Sequence, residues 1–79
     1  MALYKYAKYL KLGDHSEYDA LYKAGDRCAS AGIYRCEGCA DEIALAKGSR
    51  FPSSNQHEHR AEQGPIEWRL IVCAQHTRW

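Results

Sequence analysis

Four residues that commonly bind metal ions occur in this chain as two closely spaced pairs. Cys36 and Cys39 are separated by two residues, and His57 and His59 by one. Structural zinc sites take four thiolate or imidazole ligands, with pairs of ligands supplied by short segments. Histidines two apart point to the same side of an extended segment. We therefore predict one Zn²⁺ ion bound by Cys36, Cys39, His57 and His59, in a site that is neutral overall and suits partial burial.

Other interpretations of the cysteines stay open at this point. Cys28 and Cys73 could complete an all-thiolate site, although isolated cysteines of this kind are more often small buried hydrophobic residues. A Cys-x-x-Cys pair also performs redox chemistry where its pKa is lowered, but the helix N-terminus that commonly lowers it is missing between two strands. Four cysteines allow three disulfide pairings in an exported chain. The segment "QHEHR", residues 56–60, would in the simplest case be a solvated polar loop.

Three predicted strands position these residues. The segments "GIYRC" and "EIALA" flank the cysteine pair and predict a β-hairpin with Cys36 and Cys39 at its tip. In "IEWRLIVC" the alternation places Ile66, Trp68, Leu70 and Val72 on one face, which we expect to face the core. Residues 48–65 are polar and contain both prolines. A connection of this length is uncommon in a compact domain unless it has a role, and metal binding would supply one.

The N-terminal third predicts two short helices. In residues 2–12, Leu3, Tyr6, Ala7 and Leu10 recur at helical spacing, with Lys5 and Lys8 on the opposite side. The tyrosines of this segment would also suit a strand.

A second helix would begin at a capping box formed by Asp14 and Glu17 and end at Gly25. Tyr18, Leu21 and Tyr22 would form its apolar face. The overall prediction is a small α+β domain: a helical segment over residues 1–25, and a zinc-ribbon-like three-stranded antiparallel sheet over 26–79.

The composition predicts one small domain that needs additional stabilisation. Of the 79 residues, 12 are Leu, Ile, Val or Phe, while six Tyr and two Trp supply large rings for an aromatic core. Scaffolds of this size often depend on a metal, a disulfide or a partner chain. The lysine-rich start lacks a continuous apolar run, so we expect neither a signal peptide nor a membrane span, and a cytoplasmic location. The net charge of +1 lacks the basic bias of a dedicated nucleic-acid binder.

The hairpin resembles a known zinc knuckle. The stretch "GIYRCEGCADEIAL" is similar to the first knuckle of methionine sulfoxide reductase B, which implies zinc at Cys36 and Cys39 and a twisted antiparallel sheet. Family knuckles often have glycine after the second cysteine, where this chain has Ala40. The second Cys-x-x-Cys and the surroundings of the catalytic cysteine are absent, so the resemblance does not imply the reductase activity.

A broader resemblance covers residues 22 to 73. The chain resembles small uncharacterised bacterial zinc-ribbon-like proteins that carry Gly-Asp, then Ser-Gly-Ile-Tyr, then Lys-x-Gly-x-x-Phe-Pro, then a tryptophan in the last strand. Here these are Gly25-Asp26, Ala31-Gly32-Ile33-Tyr34 in place of Ser-Gly-Ile-Tyr, Lys47-Gly48 with Phe51-Pro52, and Trp68. In zinc ribbons a second Cys-x-x-Cys follows the Phe-Pro, and here that spacing falls on Ser54 and His57, with His59 the natural replacement ligand.

The predicted function is that of a small metal-stabilised interaction or adaptor protein with an unidentified protein partner. Tyr4, Tyr9, Trp79 and the lysines of the first segment would form an exposed aromatic surface. Nucleic-acid binding is one alternative, because lysines interleave with tyrosines there. A thiol redox protein, or a remnant of methionine sulfoxide reductase B, is the other. No motif of a hydrolase, a P-loop protein or a dinucleotide-binding enzyme occurs, so the sequence favours a protein without catalytic activity.

Overall fold

A three-stranded antiparallel sheet forms the centre of the molecule. The computed structural model describes residues 1–53 and 57–75, and Trp79 and Ser54 lie outside them. The strands are β1 (Gly32–Cys36), β2 (Glu42–Leu45) and β3 (Trp68–Cys73), in the spatial order β2-β1-β3. Three short 3₁₀ turns accompany the sheet, at Ala7–Tyr9, Ser16–Asp19 and Ala61–Gln63. The predicted small α+β class with a three-stranded antiparallel sheet is confirmed.

The β1–β2 hairpin has the predicted position and carries the cysteine pair at its tip. Its register pairs Tyr34 with Ile43 and ends at Arg35 with Glu42. The backbone N–H of Cys36 donates to the carbonyl of Asp41 at 2.8 Å and closes the tip. Alternation along β1 directs Tyr34 and Cys36 into the interior.

A β-bulge in β3 changes which of its residues face the core. Ile33 pairs with Val72, but the next residue of β1 pairs with Leu70, so Ile71 has no partner of its own. Trp68 and Leu70 are buried as predicted. The prediction for Val72 is wrong, because the extra residue reverses the alternation and brings Cys73 against the core instead.

Gly32 allows the close strand approach opposite this bulge. A Cβ built on Gly32 would lie 2.1 Å from the carbonyl oxygen of Val72. Only glycine leaves room for a backbone oxygen at this distance.

The core is a cluster of aromatic rings. Phe51 lies at its centre. Its ring stacks on those of Tyr22 and Trp68, with ring centres 5.0 and 6.0 Å apart. The ring of Tyr34 meets it edge-on, with the centres 4.9 Å apart. Such pairs add about 0.5–1.5 kcal/mol each beyond the area they bury. Aromatic packing therefore compensates for the shortage of aliphatic residues.

The first part of the long polar connection is fixed to the body. The backbone N–H of Phe51 donates to the carbonyl of Asp26 at 2.8 Å, and that of Cys28 donates to Ser49 at 2.9 Å. These bonds form a short antiparallel pairing around the Arg27–Arg50 bridge. Residues 48–51 are thus anchored before the segment that carries the histidines.

The two predicted N-terminal helices are reduced to 3₁₀ turns. In residues 2–12 only Ala7–Tyr9 is helical, and its expected apolar face is largely exposed. A helix of this length is marginal in water without a surface to pack against.

The second predicted helix is reduced to Ser16–Asp19, with His15 rather than Asp14 at its N-cap. The Nδ1 atom of His15 accepts from the backbone N–H of Glu17 at 3.2 Å. Two backbone hydrogen bonds between Tyr22 and Trp68, at 2.8 and 2.9 Å, draw the chain into an extended conformation and end the helix. Of the expected apolar face, Tyr18 and Tyr22 contact the core and Leu21 is exposed.

Among the described residues, none of the helices has the length and apolar character needed to cross a membrane.

The buried phenol of Tyr34 provides a test of this core. Its hydroxyl donates to the carbonyl of Ser30 at 2.6 Å, and burial, assisted by Cys28, raises the pKa of Tyr34 well above its usual range. A raised pKa contributes stability that is complete below the unfolded value of about 10 and is lost as the pH rises above it. We expect Tyr34→Phe to lower the free energy of unfolding by about 1 kcal/mol at pH 8 and to flatten the decline above pH 10.

Urea unfolding at pH 8 and at pH values above 10 measures these effects. Tyr9→Phe, at an exposed tyrosine, is the control and should change neither quantity. An alkaline decline that is the same in Tyr34→Phe as in the parent protein would contradict the assignment.

Candidate metal centre

The four predicted ligand residues meet at the tip of the β1–β2 hairpin. One potential ligand atom from each of Cys36, Cys39, His57 and His59 lies within 4.8 Å of the other three. The Cys36 sulfur is 3.2 Å from His59 Nε2, and the Cys39 sulfur is 3.3 Å from His57 Nε2. The two Nε2 atoms are 3.2 Å apart. The arrangement is a compact Cys₂His₂ group that could hold a metal ion.

Each histidine ring is oriented by a contact on its other nitrogen. The Nδ1 atom of His59 lies 3.0 Å from the carbonyl oxygen of Gly64, and that of His57 lies 3.4 Å from Oδ2 of Asp41. A carbonyl oxygen only accepts hydrogen bonds, so the proton of a neutral His59 belongs on Nδ1, and the nearby Asp41 carboxylate favours the same tautomer of His57. The Nε2 atoms then direct their lone pairs at the sulfurs. This is the arrangement in which metal-binding histidines are held by outer contacts.

The electrostatics of the group favour a cation at its centre. With both protons on Nδ1, two nitrogen atoms that carry no proton lie 3.2 Å apart. Thiol protons on Cys36 and Cys39 could each satisfy one nitrogen, but they would leave the contact between the two nitrogens repulsive. A cation between the four atoms removes that repulsion and converts both thiols to thiolate ligands.

Burial of the group is deep on the sheet side. Cys36 is fully buried at the end of β1, and it pairs across the sheet with Trp68, which is also fully buried. The ring centres of His57 and Trp68 are 4.7 Å apart, so the histidine packs directly against the tryptophan. The group is therefore joined to the aromatic core.

Gly38 makes room for the second histidine. A Cβ built on Gly38 would lie 2.5 Å from Cε1 of His59 and 2.6 Å from the carbonyl oxygen of Gln63. The imidazole therefore rests directly on the backbone of the hairpin tip. Any side chain at position 38 would push His59 away from the sulfurs.

The environment of the cysteines is unlike that of a redox pair. Burial raises the pKa of the Cys39 thiol, and the neighbouring Cys36 sulfur acts in the same direction. Reactive thiols instead have a lowered pKa and access to substrate, and Cys36 has no exposed surface.

Cys28 and Cys73 take no part in the group. Cys28 is buried, with its thiol donating to the carbonyl of Ala46 at 3.0 Å. Cys73 lies half-buried at the end of β3, with its sulfur 3.6 Å from the carbonyl oxygen of Ala74. No disulfide joins the four cysteines, and Cys28 and Cys73 belong to no candidate metal-binding group in the described part of the chain.

Sequence reasoning missed the residues that support the ligands. Asp41 follows Cys39 by two positions, and a carboxylate so close to the predicted ligands could have been recognised as a partner for a histidine ring. Gly64 acts through a backbone carbonyl, which carries no signal in the side-chain pattern. The sequence alone offered no reason for a glycine at position 38 of the Cys-x-Gly-Cys turn. The structure gives one, because the ring of His59 packs against the Gly38 backbone.

Comparison with known proteins adds a relative to these observations. The chain is 38% identical over 68 residues to Protein L of Escherichia coli, an alignment that covers 84% of this chain and 77% of that protein. The chain belongs to the Protein L family. It matches no protein-family model, and no solved structure matches it. The match spans most of both chains, so the sequence similarity to Protein L is not confined to the cysteine hairpin.

Ala40 occupies a strained position in the hairpin tip of this member of the Protein L family. Its φ is +65°, and its backbone N–H donates to the carbonyl of Cys36 at 2.8 Å. This left-handed conformation costs a residue with a Cβ about 1–2 kcal/mol. The glycine that often follows the second cysteine of a zinc knuckle would avoid that cost.

We expect Ala40→Gly to raise the free energy of unfolding by about 0.5–1 kcal/mol, once the greater freedom of glycine in the unfolded chain is subtracted. Ala44→Gly in β2 is the matched control, because the same exchange in an extended strand should lower stability by a similar amount. Denaturant unfolding of both variants checks the signs. Destabilisation by both exchanges alike would contradict the strain at position 40.

Proposed function

We propose that this protein binds one Zn²⁺ ion through Cys36, Cys39, His57 and His59, and that the ion holds the histidine segment against the hairpin tip. The observation that carries the proposal is the orientation of the two imidazoles. Both Nε2 atoms point at the sulfurs, while both Nδ1 atoms contact oxygen acceptors. The two sulfur atoms and the two Nε2 atoms are therefore arranged to coordinate one cation.

The distances support a tetrahedral ion with two sulfur and two nitrogen ligands. Zinc bonds of about 2.3 Å to sulfur and 2.0–2.1 Å to nitrogen imply separations of about 3.5 Å for sulfur to nitrogen and about 3.3 Å for nitrogen to nitrogen. The corresponding contacts are 3.2, 3.3 and 3.2 Å. Small adjustments would bring all four atoms to bonding distance. Tetrahedral S₂N₂ sites are typical of zinc.

The proposed role of the ion is structural. All four coordination positions are taken by protein side chains, which leaves none for water or substrate. Apparent zinc binding energies of about 10–16 kcal/mol in small zinc domains exceed the few kcal/mol that a core of this size supplies alone. The ion would therefore determine whether residues 57–64 are ordered.

We assign the chain to the class of small metal-stabilised interaction or adaptor modules with a zinc-ribbon-like plan. A closed metal site, an aromatic core and an exposed N-terminal segment are consistent with a scaffold that presents a surface. Thiol redox activity is disfavoured by the burial of Cys36 and the raised pKa of the Cys39 thiol. The same features disfavour a remnant of methionine sulfoxide reductase B.

The metal content and the choice of ligands can be tested with matched cysteine variants. Protein purified without a histidine tag should contain about one equivalent of zinc. Cys36→Ser and Cys39→Ser should lose it, because each removes one thiolate of the proposed set, and their thermal unfolding should shift to markedly lower temperature. Cys28→Ser and Cys73→Ser remove thiols outside the set and should retain full zinc content.

A cobalt-substituted sample gives an independent reading of the ligands. The parent protein and the two control variants should show the same thiolate charge-transfer and tetrahedral d–d bands. Zinc content well below half an equivalent in fully folded protein, with a melting curve indifferent to EDTA, would refute the proposal. Loss of the bands in Cys28→Ser or Cys73→Ser would refute the ligand assignment.

A further inference from the structure

Exposed apolar side chains are concentrated in the first twelve residues. Eight large hydrophobic residues are exposed among the described parts of the chain, and all but Leu21 belong to this segment. Leu3 and Leu12 are each 97% exposed. We call this set the N-terminal patch: Met1, Leu3, Tyr4, Tyr6, Tyr9, Leu10 and Leu12. A patch of this kind on a small protein marks an interaction site.

The charge of the segment has one sign. Lys5, Lys8 and Lys11 recur every third residue, and the first acidic side chain in the sequence is Asp14. The ammonium groups of Lys5 and Lys8 lie 5.1–5.6 Å from the ring centres of Tyr6 and Tyr9. Positive charge is thus interleaved with exposed apolar surface, and the complementary partner is anionic.

The start of this segment lies against the sheet, where the Met1 ammonium is 3.2 Å from Oε2 of Glu42, and Leu3 and Leu10 line a groove beside Ile33 and Ile71. These contacts do not use the helical pattern of the segment. Leu3, Tyr6, Ala7 and Leu10 have the spacing of one helix face, with the lysines on the other side. Only Ala7–Tyr9 forms a 3₁₀ turn, and none of its residues is buried. The pattern therefore matches an environment outside the described fold, one that is apolar on one side and negatively charged at its boundary.

An anionic lipid surface fits this pattern better than nucleic acid does. Single-stranded nucleic acid would use the lysines and the tyrosine rings, but it offers nothing to leucines that are fully exposed. The boundary of a lipid bilayer accepts aliphatic side chains below it, tyrosine rings at headgroup level and lysines at the phosphates. In a helix over this segment Leu3, Tyr6 and Leu10 would face the lipid, and the three lysines would reach the phosphates.

We propose that residues 1–12 dock on anionic phospholipid bilayers and become an amphipathic helix in doing so. The body of the protein stays outside the lipid. This proposal is independent of the metal centre, which lies on the hairpin tip and shares no residue with the N-terminal patch.

Vesicle sedimentation with the full-length, zinc-saturated protein tests the proposal. We expect binding to vesicles of 70% phosphatidylcholine and 30% phosphatidylglycerol that is at least tenfold stronger than binding to pure phosphatidylcholine. Each lysine should contribute about fivefold, so Lys8→Gln should weaken binding by that factor and K5Q/K8Q/K11Q by roughly 100-fold. Lys23→Gln, at an exposed lysine outside the segment, should have no such effect.

The apolar contribution has its own matched pair. Leu10 and Leu21 are both 45% exposed, but only Leu10 belongs to the N-terminal patch. Leu10→Ser should weaken vesicle binding by about tenfold or more, because the methyl and methine groups of the leucine side chain no longer enter the lipid. Leu21→Ser should leave vesicle binding unchanged. Far-ultraviolet circular dichroism should gain helical signal with the anionic vesicles.

Any one of four results with the vesicles would overturn the proposal. These are equal binding to neutral and anionic vesicles, no binding to either, binding that is unaffected in K5Q/K8Q/K11Q, and binding without a gain in helical signal. Tighter binding to a 20-residue oligothymidylate than to anionic vesicles would also overturn it, in favour of single-stranded nucleic acid. Zinc content measured on the same samples separates any failure here from a failure of the metal centre.

Discussion

The convergence of two sulfur and two nitrogen atoms at the hairpin tip is the constraint on which the rest of the structure depends. Cys36 and Cys39 belong to a tight antiparallel turn, while His57 and His59 come from a polar connection with little apolar content of its own. The proposed cation would neutralise two thiolates and separate two unprotonated imidazole nitrogens, and so would explain both the geometry and the order of the segment.

The metal centre and the aromatic core act as one unit through Trp68. This residue pairs with Cys36 across the sheet, stacks on Phe51 and lies beneath His57. The long connection is thus attached at both ends: Phe51 enters the core, and the two histidines reach the hairpin tip. A chain with so few aliphatic residues reaches a defined structure by concentrating its large rings and its ligands around one strand.

The sequence was sufficient for the features that depend on side-chain type and spacing. Cysteines at i and i+3 between β-forming segments, and histidines at i and i+2, predicted a cluster, and the structure brings one atom from each residue within 4.8 Å of the others. Features set by the backbone escaped prediction. The bulge at Ile71 reverses the alternation of β3, and the carbonyl of Gly64 orients His59 without any side-chain signal. Residues 2–12 have apolar residues at helical spacing, but so short a segment forms a stable helix only where its apolar face packs against another surface.

X-ray absorption at the zinc edge of the purified protein tests the central claim most directly, because it reports the atoms bonded to the ion and their distances. The account predicts two sulfur atoms at about 2.3 Å and two nitrogen atoms at about 2.0–2.1 Å, with the scattering pattern of imidazole rings. A shell of four sulfur atoms would mean that Cys28 and Cys73 replace the histidines. A shell without sulfur would mean that the ion does not bind at the hairpin tip, and either result would contradict the account.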